Sequence, residues 1–77
     1  MIPNEAIINV LRQSLGFEFK DQKDRVMIYK KRGDTQRVMV RRITLHDDNA
    51  ARILLKQAGM SADEIEKFIN TYRCNEH

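Results

Sequence analysis

Arg25–Leu45 reads RVMIYKKRGDTQRVMVRRITL, and this stretch decides the fold. Two runs rich in Val, Ile, Met and Tyr flank a Gly-Asp-Thr turn, the composition of an antiparallel hairpin. Side chains alternate between the faces of a strand. Val26, Ile28, Val38 and Val40 are therefore expected on one face, with Arg25, Met27, Tyr29, Lys31, Arg37, Met39 and Arg41 on the other. That second face combines positive charge with an aromatic ring and two thioethers. Such a surface suits a polyanion whose bases can stack, and a solvated sheet rimmed with Lys and Arg against edge pairing has the same composition.

Charge is concentrated in the same region. The chain of 77 residues has a net charge of +3, yet Lys20–Arg42 holds nine basic residues against three acidic ones (+6), and the remainder holds five against eight (−3). A cationic supersecondary unit of this kind is the electrostatic footprint of a nucleic-acid contact or of docking onto an acidic protein. A chain this short has room for one modest core, so one domain spanning residues 1–77 is expected. No apolar run reaches the ~20 residues that span a bilayer, and Asn4, Glu5, Asn9 and Arg12 interrupt the N-terminal segment that a secretory signal would need. The single Cys74 has no intrachain disulfide partner. A cytoplasmic location without a disulfide, metal or cofactor framework is the expectation.

Outward from the hairpin, the pattern is helical on both sides. Asn4 is the expected N-cap of a first helix carrying Ile7, Leu11 and Leu15, and Gly16 its C′ residue. Phe17-Glu18-Phe19-Lys20 alternates as a short first strand, and Asp21–Asp24 links it to the hairpin. Arg32-Gly33-Asp34 is read as turn chemistry alone. His46-Asp47-Asp48-Asn49 opens a second helix whose buried side is expected to be Ala50, Ile53, Leu54 and Ala58, ending at Gly59. Its aspartates serve as caps, and His46 is a weak candidate for general-base or metal chemistry because no second ligand lies at the right spacing. Ser61 and Glu64 form a capping box, flanked by Met60 and Ile65 as a hydrophobic staple. A third helix from about Ala62 buries Ile65, Phe68, Ile69 and Tyr72. The tail Arg73–His77, with Cys74 and His77 three apart, carries no pattern and is expected to be disordered. The fold class that follows is α+β: a two-layer sandwich of order α-β-β-β-α-α, with helices on one face of an antiparallel three-stranded sheet.

Three segments resemble the HicA-type (YcfA-like) messenger-RNA interferase toxins, which have a double-stranded-RNA-binding-domain-like fold. They are Leu15-Gly16-Phe17-Glu18, Ile28-Tyr29, and Ile53-Leu54-Leu55-Lys56-Gln57-Ala58-Gly59-Met60-Ser61 with Glu64. The resemblance covers about Ile7 to Ile69. It implies an endoribonuclease with an acidic HicB-type antitoxin as partner. The family's catalytic histidine lies in a Gly-Ser-His segment ahead of the Ile-Tyr pair, where this chain has Asp24, Arg25 and Val26, followed by Met27. Neither an isopropyl group nor a thioether can move a proton, so catalysis from that place is excluded. The leading expectation is a non-catalytic RNA-binding module, with DNA as a competing ligand. Its contacts would be Arg25, Lys30, Lys31, Arg37, Arg41 and Arg42, with Tyr29 as a stacking platform. A second expectation is a protein-interaction module, binding an antitoxin or a second copy through Met27, Tyr29 and Met39. A third is a ribonuclease using His46 with Asp47 or Asp48.

Overall fold

The computed structural model describes residues 1–73. Expectations for Cys74, His77 and the tail beyond Arg73 lie outside the described residues. The elements are β1 (Ile2–Pro3), α1 (Asn4–Asn9) with a π-helical continuation (Val10–Ser14), β2 (Phe17–Lys23), β3 (Val26–Lys31), β4 (Arg37–Arg41), β5 (Leu45–His46), α2 (Asp48–Gln57) and α3 (Ala62–Arg73). The class is α+β, with an antiparallel sheet of order β2-β3-β4.

The sheet's pairing overturns the expected phase of one strand. β3 and β4 pair Val26 with Arg41, Ile28 with Met39, Tyr29 with Val38 and Lys30 with Arg37. An even number of residues separates Lys30 from Arg37, so odd positions on β3 oppose even positions on β4. Directly opposed residues share a face. Met27 and Tyr29 therefore lie with Val38 and Val40 on the core side, while Val26 and Ile28 lie on the other. Burial agrees: Tyr29 is 4% exposed, Val38 and Val40 are fully buried, and Met39 is 63% exposed.

β2 is longer than the alternation of Phe17–Lys20 indicates. It continues through the residues expected to form a link, because a bulge at Lys20 resets the pairing between Phe19 opposite Tyr29 and Asp21 opposite Ile28. An extra residue of this kind lets a strand keep pairing after its side chains change phase. The β2–β3 turn closes on Asp24 and Arg25, with Asp24 at φ 55°, a positive value at the first central residue of a two-residue hairpin.

One core joins the sheet to the helices. Phe17, Tyr29, Val38 and Val40 cluster with Ile2, Ile7, Leu11, Ala51, Leu54, Leu55, Ala58, Ile65 and Ile69. In α2 the buried side is Ala51, Leu54 and Leu55, rotated from the expected one, and Ile53 is 62% exposed. Asp47 caps α2, accepting a hydrogen bond from the Ala50 amide at 2.7 Å. The helix ends in a Schellman arrangement, in which the amides of Gly59 and Met60 donate to the carbonyls of Lys56 and Leu55. Gly59 sits at φ 94°, where a side chain is strained. Ser61 caps α3, its hydroxyl accepting the Glu64 amide and donating to the Glu64 carboxylate. Arg52 forks onto Glu66 at 2.7 and 3.2 Å, tying α2 to α3.

The N-terminus is held by a clasp that local patterning does not reveal. β1 pairs with β5, setting Ile2 opposite His46, and the Asn4 amide donates to the Thr44 carbonyl. Asn4 is not the N-cap: Pro3 holds that position, and no side chain caps the helix. The Asn4 side chain instead meets His46 Nε2 at 2.7 Å. No helix among the described residues is long and apolar enough to cross a membrane.

Candidate nucleic-acid interface

Strand pairing sorts the basic residues into two groups. On the face away from the core, β3 and β4 present Lys30 opposite Arg37, Ile28 opposite Met39, and Val26 opposite Arg41. From β2, Glu18 stands opposite Lys30, Asp21 opposite Ile28, and Lys23 opposite Val26. Lys20, Asp21, Lys23, Ile28, Lys30 and Arg37 line one recess of about 350 Å³ on this side. The open face thus carries Lys20, Lys23, Lys30, Arg37 and Arg41 against Glu18 and Asp21, a surplus of three positive charges. Glu18 is further engaged by Arg32 at 3.3 Å.

Of the seven contacts expected from the sequence, the fold brings Lys30, Arg37 and Arg41 together. Arg25 lies at the hairpin tip, where its carbonyl accepts the Arg42 amide at 2.7 Å. Arg42 lines a recess with Pro3, Asn4 and Glu5, beside the helices. Lys31 faces the core side at the end of β3, close to Gly16. Tyr29 is withdrawn altogether. Its ring is in the core, edge-on to Phe19 at 5.7 Å, and burial pushes its phenol pKa up, partly countered by Arg12. A buried ring offers no face to a base, so the stacking role is corrected. Met27 is also turned toward the core, which leaves Met39 as the exposed member of the expected interface trio.

Neither Lys20 nor Lys23 is a candidate contact in the sequence, because Lys20 only closes the short Phe17–Lys20 alternation and Lys23 falls in the segment that reads as a link. The available signal was the run FEFKDQK itself, in which basic residues bracket the acidic Asp21. Alternation over Phe17–Lys20 followed by the wholly polar Asp21-Gln22-Lys23 is compatible with a solvent-facing edge strand.

The remaining candidate, His46, is 3% exposed. Burial lowers its pKa, the Asp47 carboxylate pulls the other way, and Arg41 lowers it further. With Nε2 held by Asn4 and Asp47 occupied in capping, the imidazole works as a structural latch between α1 and β5. Among the described residues, no group of three His, Cys, Asp or Glu side chains is placed to hold a metal ion.

Across the open face, the rows Val26/Arg41 and Lys30/Arg37 are four residues apart, about 13 Å at the strand rise of ~3.3 Å per residue. Its width is about 10 Å for three strands spaced ~4.8 Å apart. Five flexible cationic heads over such an area can neutralise phosphates on one side of a polyanion. No aromatic ring stands among them to hold an unstacked base. Comparison with family models, with curated proteins and with solved structures yields no match.

Proposed function

We propose that this protein is a non-catalytic module that holds RNA by its phosphate backbone on the open face of the three-stranded sheet. The observation that carries this reading is the gathering of Lys20, Lys23, Lys30, Arg37 and Arg41 around Ile28 and Met39 on one side of the sheet. Charge without an aromatic platform favours contact with shape and backbone over readout of splayed bases, the mode by which duplex RNA is bound. In the same reading the chain is a double-stranded-RNA-binding-domain-like relative of the HicA-type interferases. The order of helix, three antiparallel strands and helices supports it. The absence of an ionisable group at Val26, and the burial of His46 behind Asn4, favour binding over cleavage.

Electrophoretic shifts with RNA and DNA duplexes at two salt concentrations test the proposal. It expects a retarded RNA complex that weakens steeply with salt, because each neutralised phosphate releases counterions. It also expects intact RNA after prolonged incubation. A complex insensitive to salt, or the appearance of cleaved RNA, would refute it.

A further inference from the structure

The hydrogen bond from the Arg42 amide to the Arg25 carbonyl fixes which backbone groups of β4 face inward. Bonded pairs alternate along an antiparallel ladder, so Val40 and Val38 exchange bonds with Met27 and Tyr29. The amides of Arg37, Met39 and Arg41 therefore point away from β3, at the sheet's outer edge. The Arg41 carbonyl is taken by the Ile43 amide at 3.0 Å, but no backbone partner meets the Met39 amide or carbonyl among the described residues. Beside this edge, Met39, Arg41, His46, Ala50, Ile53, Leu54 and Gln57 enclose a recess of about 240 Å³. Met39 and Ile53, 63% and 62% exposed, are the two most exposed large apolar side chains.

We propose that the free edge of β4 receives an extended segment of a partner protein by strand addition, and that this segment is apolar with carboxylates four residues apart. Residues opposite one another across a ladder share a face. The two carboxylates would stand opposite Arg37 and Arg41 on the open face, with an apolar residue between them against Met39. The intervening residues, opposite Val38 and Val40, would turn toward the α2 side, where Ala50, Ile53 and Leu54 line the recess. Main-chain bonds then give affinity, and the alternating side chains give specificity. Neither Arg37 nor Arg41 makes an ion pair among the described residues, so both heads are available. A second copy is the poorer occupant. Symmetric pairing centred on Met39 sets Arg37 of each copy opposite Arg41 of the other, like charge against like charge.

The test is titration of the ¹⁵N-labelled full chain with a capped peptide containing Glu-Val-Val-Val-Glu, alongside its Lys-Val-Val-Val-Lys counterpart. The glutamate peptide is expected to shift the Met39 and Ile53 amides and to slow hydrogen exchange at Met39, while the lysine peptide does neither. The double variant Arg37→Glu/Arg41→Glu should weaken the glutamate peptide roughly tenfold and accept the lysine peptide in its place. Met39→Pro removes an outward donor without touching the ladder to β3, and should reduce binding while the rest of the spectrum is kept. Should that variant unfold, the charge-swap pair decides. Equal binding of both peptides, shifts confined to the Lys20–Arg37 recess, or concentration-dependent self-association through the Met39 edge would overturn the proposal. Failure here with salt-sensitive RNA binding intact overturns strand addition alone.

Discussion

Replacing Lys30 and Arg37 together by glutamine should flatten the salt dependence of RNA binding by a predictable amount. The two side chains are opposed on the open face and share one recess there. If all five open-face cations meet phosphates, the slope of log K against log salt is about −0.9 × 5, or roughly −4.5. Affinity then falls about 500-fold between roughly 50 and 200 mM salt. The double variant leaves three contacts, a slope of about −2.7 and a loss of only about 40-fold over the same range. Lys31→Gln/Arg32→Gln removes the same charge from the end of β3 and the turn after it, and should change the slope by less than about half a unit. Fluorescence anisotropy with a labelled RNA duplex at five or so salt concentrations measures all three slopes. A wild-type slope shallower than about −2, or equal flattening by the two double variants, would refute the assignment of the face.

Three further predictions concern the scaffold. His46 has a lowered pKa in the folded protein, so the unfolded chain binds the extra proton first. Stability is therefore retained above the ordinary value of 6.5 and falls as pH drops below it, towards the folded pKa. Denaturant titrations at pH 7.5 and 5 should show this loss, and His46→Gln should remove the part due to the imidazole; an unchanged pH profile in the variant would contradict it. Gly59→Ala should cost about 1 kcal/mol by forcing a side chain into positive φ at the end of α2, measured as a lower urea midpoint. Leu55→Ala, at a fully buried position, should cost about 2–5 kcal/mol. That is a large share of the roughly 4–12 kcal/mol available to a chain of this size, so a loss below about 1 kcal/mol would contradict the core described here.

Much of the architecture is legible locally. The glycines, the Ser61–Glu64 box and the Asp47 cap mark where helices begin and end, and the hairpin announces itself through its turn. What local pattern could not supply is phase. Val26-Met27-Ile28-Tyr29 is apolar at every position, so alternation does not say which half is buried. The parity of the β3–β4 pairing settles it, and that parity depends on how many residues the turn consumes. α2 poses the same problem, because Ala50, Ala51, Ile53, Leu54, Leu55 and Ala58 allow two overlapping stripes, and contact with β4 and α3 selects the one containing Leu55. The Asn4–His46 latch joins positions far apart in sequence. Asn4 therefore reads as an ordinary N-cap until β5 is placed beside it. For the candidate site, the basic strands were evident from composition. The bulge at Lys20 and the burial of Tyr29 redistribute which of their residues act together.

Mapping amide shifts on the ¹⁵N-labelled chain during titration with a short RNA duplex tests the central claim most directly. The account predicts perturbations at Lys20, Lys23, Ile28, Lys30, Arg37 and Arg41, with α3 and the Arg52–Glu66 contact unmoved. Perturbations centred on the helices, with the open face of the sheet silent, would contradict it.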